Sequence, residues 1–182
     1  MQIIPTKIPD VLLLKPRVFA DPRGYFIETY SEQRYREIGI LNHFVQDNES
    51  QSAKSVLRGL HYQKQPFAQA KLVRVIRGAV MDVAVDIRKG SPTFGKCVTA
   101  ILSDENKHQL YIPHGFAHGF LVLADNTIFS YKCDNYYSPQ HERGIRWDDP
   151  AINIPWQELD VPYVLSEKDT RQPLLAEAEV FD

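Results

Sequence analysis

The stretch Met81–Arg88 reads MDVAVDIR, and its pattern sets the architecture. Met81, Val83, Val85 and Ile87 share one side of an extended chain, while Asp82, Ala84, Asp86 and Arg88 share the other. Side chains alternate across a strand with period two, so this pattern predicts a half-buried strand. Gly78 precedes it and Gly90-Ser91-Pro92 follows it, both turn-forming. Similar runs rich in Val, Ile, Tyr and Phe lie to either side, punctuated by twelve prolines and nine glycines. They predict further strands over Val11–Phe19, Tyr25–Tyr30, Phe44–Ser52, Ser55–Gln63, Lys71–Arg77, Gly95–Leu102, Gln109–Ile112, Ala117–Ala124 and Thr127–Asn135. One convincing helix spans Glu32 to Ile38, with Ser31 as N-cap, Gly39 as C′ residue, and Tyr35 and Ile38 facing inward. Ser166 caps a short C-terminal turn.

About ten strands at this spacing predict an all-β chain, a two-sheet jelly roll of the double-stranded β-helix type seen in cupins, with a few short helices. A length of 182 residues fits one domain over 1–182 with a substantial core. Hydrophobic content of 43% and charged content of 24% are ordinary for a globular protein. The net charge of -2 leaves no footprint for nucleic acid, so an anion site must come from local clusters of Arg and Lys. Cys97 and Cys133 lack CxxC spacing and suggest neither a disulfide scaffold nor a zinc knuckle. No apolar run approaches the roughly 20 residues of a membrane span. The opening MQIIPTKIPD lacks the basic-then-apolar pattern of a secretory signal, so a cytoplasmic location without membrane partners is expected.

Five constellations carry possible chemistry. In VLRGLHYQ, Val56–Gln63, His61 suits a general base, an imidazole held in one tautomer by a carboxylate. The alternative is a structural histidine bonded to a backbone carbonyl. Arg58, His61 and Lys71 are three potential cations within fourteen residues, which favours an anion nearby. In IPHGFAHGF, Ile112–Phe120, the spacing Pro113-x-Gly115-x-x-His118 resembles the second metal-binding motif of cupins. However, the first motif has Gln63 where its second histidine belongs, and no glutamate. His118 is therefore expected to hydrogen-bond within the barrel or touch substrate, and no metal is expected. In FSYKCDNYY, Phe129–Tyr137, Tyr131 could donate a proton opposite a histidine base, and Tyr136 could stack on a nucleobase. Ser166-x-x-Asp169 reads on its own as a capping box. Arg23, in a Pro-Arg-Gly turn, has the planar fork that suits phosphate, although a lone arginine is ordinarily solvated surface.

Taken together, these segments closely resemble the dTDP-4-dehydrorhamnose 3,5-epimerases, the third step of dTDP-L-rhamnose synthesis. Matching blocks occur in one order: DPRGYFIE at 21–28, FVQDN at 44–48, VLRGLHYQ at 56–63, KLVRV at 71–75, DVAVDIR at 82–88, SPTFGK at 91–96, LSDENKHQLYIPHGFAHGFLVL at 102–123, YK at 131–132, NYYSP at 135–139 and LSEKD at 165–169. The resemblance implies a cofactor-free jelly roll in a homodimer, an N-terminal segment reaching the partner subunit, and a short helical C-terminal tail. It implies His61 as base, Asp169 as its carboxylate partner, Tyr131 as the acid on the opposite sugar face, and Lys71 beside the developing oxyanion. Arg23, Glu28, Gln46, Asn48, Arg58, Lys71, His118, Glu142 and Lys168 match positions that contact the nucleotide sugar or line its pocket. Cys97 and Tyr111 stand where the family commonly has tryptophan, and neither bears on chemistry. Three rivals remain: relatives that invert one carbon of a dTDP-4-keto-6-deoxysugar, a metal-dependent cupin enzyme, and a non-catalytic sugar-binding jelly roll.

Overall fold

In a computed structural model, which describes residues 1–182, MDVAVDIR falls largely within a strand that has hydrogen-bonded neighbours on both sides. The strands in chain order are β1 (Gln2–Ile4), β2 (Leu12–Lys15), β3 (Val18–Asp21), β4 (Gly24–Ile27), β5 (Gln46–Ser52), β6 (Leu57–Gln63), β7 (Lys71–Arg77), β8 (Ala79–Asp86), β9 (Cys97–Ser103), β10 (Gln109–Ile112), β11 (Phe116–Val122), β12 (Thr127–Cys133) and β13 (Glu142–Gly144). Two short helices, α1 (Glu32–Glu37) and α2 (Glu167–Thr170), complete the chain. A six-stranded sheet in the order β1-β2-β10-β7-β12-β5 faces a five-stranded sheet in the order β13-β6-β11-β8-β9. All the strand pairs are antiparallel, and the architecture is the expected cupin-type jelly roll.

β8 corrects the half-buried reading. Its inner face sends Val80 and Ala84 into the core between the sheets, with Val73, Val75, Phe120 and Phe129. Its outer face is covered too: Met81, Val83 and Val85 pack with Ile145, Ile152 and Leu175 from the C-terminal segment. The polar residues in the alternation marked internal bonds rather than solvent. Asp82 and Asp86 are both fully buried. Asp86 accepts from Arg88 Nε at 2.9 Å and from the Ser91 and Thr93 hydroxyls at 2.6 Å each, which satisfies a carboxylate that burial would otherwise penalise.

Other departures have local causes. Pro16 splits Val11–Phe19 into β2 and β3, since proline cannot donate to a ladder. β3 and β4 form a separate hairpin. The edge strands β1 and β13 are three residues each, too short to show a period. α1 lies outside the six-stranded sheet, where buried Tyr35 packs with Leu14, Leu72 and Tyr111 and donates to Gln109 Oε1 at 2.5 Å. Ser31 precedes α1 in an extended conformation but makes no side-chain capping bond. Ser166 does cap α2, its hydroxyl accepting from Asp169 N at 3.1 Å.

Two glycines let β6 and β11 cross closely. A Cβ on Gly119 would stand 2.7 Å from the Arg58 carbonyl oxygen, and one on Gly59 would stand 2.6 Å from Gly119 Cα. Gly59 also has a φ of +122°, a conformation that side chains disfavour. Opposite His118 and Phe120 stand His61 and Arg58, so β6 carries one extra residue across this step. Gly119→Ala should therefore destabilise the fold by about 1–3 kcal/mol, the range for overpacking a core. Urea denaturation checks this; a wild-type midpoint would mean that the strands separate at no cost.

Candidate active site

The bulge at Gly59 has a direct consequence for side-chain placement. In a regular strand, residues three apart point to opposite faces. Here Leu57 and Leu60 both join the outer apolar cluster, and Arg58 and His61 both face inward. They line a cavity of about 360 Å³ with Lys71 of β7, His118 of β11 and Tyr131 of β12. The C-terminal segment closes one side with Val164, Leu165, Ser166, Lys168 and Asp169. An adjoining cavity of about 260 Å³ shares His61, Lys71 and Tyr131 and is further lined by Gln46, Asn48, Gln69, Tyr137 and Glu142. His61 belongs to the five-stranded sheet and Tyr131 to the six-stranded one, so they approach the space from opposite walls.

His61 Nε2 lies 2.5 Å from Asp169 Oδ1, joining residues 108 positions apart. Burial alone would raise the Asp169 carboxyl. The bond and charge of His61, the Ser166 hydroxyl and the Gly59 N–H together outweigh burial and hold it below the usual carboxylate range. An ionised Asp169 accepts from Nε2–H and so leaves the lone pair on Nδ1, which is the arrangement of a positioned base. Both readings of Asp169 are realised: its N–H is capped by Ser166, and its carboxylate turns to the imidazole.

A second pair lies deeper. His118 Nε2 is 3.0 Å from Asp82 Oδ2, and both are buried. Burial pushes the His118 imidazolium down; Asp82 opposes this, while Lys71 and His61 reinforce it. Burial likewise lowers Lys71 and raises the Tyr131 phenol, which keeps the phenol protonated. The cavity carboxylates are each matched: Asp169 to His61, Asp82 to His118, and Glu142 to Lys168 at 2.6 Å. Arg58 bonds only the Ser52 hydroxyl, at 3.1 and 3.3 Å, so its charge and that of Lys71 remain for an anion. No group of three or more His, Cys, Asp or Glu side chains is placed to hold a metal ion.

The structure therefore brings together His61, Lys71, Tyr131, Asp169, Arg58, His118 and Lys168, with Gln46, Asn48 and Glu142 next to them. Arg23, Glu28 and Tyr136 lie elsewhere. Arg23 sits at the hairpin tip, exposed and paired with Asp21 at 2.6 Å, while Glu28 pairs with Arg34 at 3.2 Å. Both tyrosines of the turn are exposed, Tyr136 at 62% and Tyr137 at 55%, but only Tyr137 lines the cavity, at its rim, where it donates to Glu142 Oε2 at 2.8 Å. In NYYSP the two tyrosines are adjacent, and only the turn decides which one faces in. Ser50, Gln69 and Asp82 went unnoticed in the sequence. Asp82 left a signal, a carboxylate within a strand pattern.

Fold and cavity together define a cupin-type jelly roll with its site between the two sheets. The profile of the dTDP-4-dehydrorhamnose 3,5-epimerase family matches residues 5–177, and the chain belongs to this family of carbohydrate isomerases. It is 54% identical over 182 residues to the dTDP-4-dehydrorhamnose 3,5-epimerase of Shigella flexneri, covering 100% of this chain and 99% of that one. It also resembles the crystal structure of the Legionella pneumophila dTDP-6-deoxy-D-glucose-3,5-epimerase in complex with dTDP-4-keto-L-rhamnose. There the TM-score is 0.94 at 50% identity, over 97% of this chain and 93% of that one. A 3'-monoepimerase from Streptomyces bikiniensis in complex with dTDP-quinovose is similar with a TM-score of 0.88 at 33% identity, over 94% of this chain and 87% of that one.

The lowered His118 makes a pH prediction. Its folded pKa lies below the ordinary 6.5, so on acidification the unfolded chain takes up the proton first. The stabilisation is complete above about pH 6.5 and is lost as pH falls toward the folded value. Melting temperature should decline from about pH 7.5 to about pH 5.5, and less steeply in His118→Gln. An identical slope in the variant would mean that other groups carry the effect.

Proposed function

We propose that this chain epimerises dTDP-4-dehydro-6-deoxy-D-glucose at C3 and C5, giving dTDP-4-dehydro-L-rhamnose for dTDP-L-rhamnose synthesis. The observation that carries the reading is the His61–Asp169 pair facing Tyr131 across a cation-lined cavity. The ketone at C4 acidifies the hydrogens on C3 and C5. His61 Nδ1 takes one of these protons, and ionised Asp169 stabilises the imidazolium that forms. Negative charge develops on O4, where the Lys71 ammonium stabilises it; one such preorganised donor is worth roughly 2.7–4 kcal/mol of barrier. The Tyr131 hydroxyl then protonates the same carbon from the opposite face, inverting it. Before the second centre reacts, His61 releases its proton to solvent and Tyr131 regains one. Arg58, His118, Gln46, Asn48, Glu142 and Lys168 hold the nucleotide sugar, with Tyr137 rather than Tyr136 offering an aromatic surface at the cavity rim. Binding energy from these remote contacts keeps the sugar in place through both inversions.

NMR in D2O should show deuterium at both C3 and C5 of the substrate with wild-type protein. His61→Asn should lower turnover roughly 10²- to 10⁴-fold while leaving substrate affinity within about an order of magnitude. Near-normal turnover in that variant would sink the mechanism, and label at one carbon only would reassign the chain as a mono-epimerase.

We also propose a homodimer in which the β3–β4 hairpin carries Arg23 and Glu28 to the partner's cavity. The support is physical: the hairpin is separate from both sheets and exposes Phe19 (47%), Tyr25 (57%) and Phe26 (69%). Isolated two-stranded hairpins are marginal in water, and an exposed aromatic group of this kind calls for a cover. Sedimentation should give a dimer that dissociates in a Phe19→Ser, Phe26→Ser double variant. A wild-type monomer at micromolar concentration would overturn this.

A further inference from the structure

We infer that the Ser50 hydroxyl binds substrate, hydrogen-bonding an oxygen of the hexose within the reaction chamber; this rests on the epimerase reading above. The inner face of β5 presents four polar residues in a row, Gln46, Asn48, Ser50 and Ser52. Three of them have protein partners. Gln46 donates to Asn48 Oδ1 at 3.0 Å and accepts from Tyr137 N at 3.1 Å. Asn48 donates to Cys133 Sγ at 3.7 Å, and Ser52 accepts from Arg58. Ser50 Oγ is shielded, has no hydrogen-bond partner in the protein, and is the only buried side-chain nitrogen or oxygen in the chain in that state.

Its surroundings explain why. Ser50 stands opposite Phe129 on β12, and Phe129 stacks on Phe120 with ring centroids 4.1 Å apart. These rings offer no acceptor for a hydroxyl. A buried hydroxyl without a partner weakens the fold; Ser50 is itself half-buried and lines the cavity, so a turn about its Cα–Cβ bond brings the hydroxyl to that space. The position of Ser50 selects the ligand atom. It lines the chamber containing Arg58, His118 and the full His61–Asp169 pair, not the adjoining one with Gln46, Asn48, Tyr137 and Glu142. In the epimerase reading the hexose lies between His61 and Tyr131, in the chamber that Ser50 also lines. Arg58, anchored through Nε and Nη2 to Ser52, brings a cation to the same wall.

Ser50→Ala removes the hydroxyl with little change of shape. Calorimetric titration compares dTDP with dTDP-quinovose, which shares the nucleotide and adds an unreactive hexose. The variant should bind dTDP-quinovose roughly three- to tenfold more weakly, the loss of one neutral hydrogen bond, and bind dTDP as wild type does. Its melting temperature should stay level or rise, because an unsatisfied group has gone. Equal weakening toward both ligands would place the hydroxyl on the nucleotide and overturn the inference, as would unchanged affinity for both. Turnover by the wild-type protein is measured alongside. An inactive wild type together with selective loss of hexose affinity in Ser50→Ala would overturn the epimerase reading and leave this one standing.

Discussion

The bond between His61 and Asp169 joins two parts of the chain that share no sheet. His61 lies mid-strand in the barrel wall, and Asp169 lies on a single helical turn in the C-terminal segment. At 2.5 Å the contact closes one side of the cavity, buries the carboxylate and fixes which imidazole nitrogen is free. Burying an ionised carboxylate is costly unless it is paired and hydrogen-bonded. Here the imidazole, the Ser166 hydroxyl and the Gly59 N–H all supply that compensation, so electrostatics and local backbone depend on one another.

The Gly59–Gly119 crossing makes this contact possible. One extra residue in β6 lets Arg58 and His61 share the inner face while Leu57 and Leu60 keep the outer face apolar. The outer face in turn requires the C-terminal segment as a cover, because Leu57, Leu60, Met81 and Val83 form a second core there. That cover leads, within the same stretch of chain, to Asp169. Covering the sheet and completing the site are therefore one packing event. Inside the barrel, Phe120, Phe129, Val73 and Val75 make an apolar lining in which each charged group needs a partner. His118–Asp82 and Lys168–Glu142 meet that need internally. Arg58 and Lys71 do not, and this gives an acidic chain a locally cationic cavity.

Much of this was legible in the residues themselves. Runs rich in Val, Ile, Tyr and Phe, punctuated by proline and glycine, located most of the strands, and the ordered blocks from DPRGYFIE to LSEKD marked the family and, by resemblance, His61, Lys71, Tyr131 and Asp169. Alternation reports what neighbours along one strand have in common. It is silent about what packs on the strand from elsewhere, so MDVAVDIR looked half-buried when the C-terminal segment covers its outer face. The capping spacing of Ser166 and Asp169 was sound, but it concerned backbone atoms within a turn and said nothing about where the carboxylate points.

The sequence by itself determined the strand-rich architecture, the family and the chemical types of the side chains that line the cavity, because these depend on side-chain identity and short-range periodicity. Only the tertiary structure decided which of them meet. It placed Arg58 and His61 on one face through a bulge, set Tyr137 rather than Tyr136 against the cavity, and buried Asp82 against His118. It also left Arg23 on an exposed hairpin and Ser50 without a protein partner. The bulge, the Asp82–His118 pair and the surroundings of Ser50 depend on contacts between segments far apart in the chain, where packing and charge burial choose among placements that local pattern leaves equal.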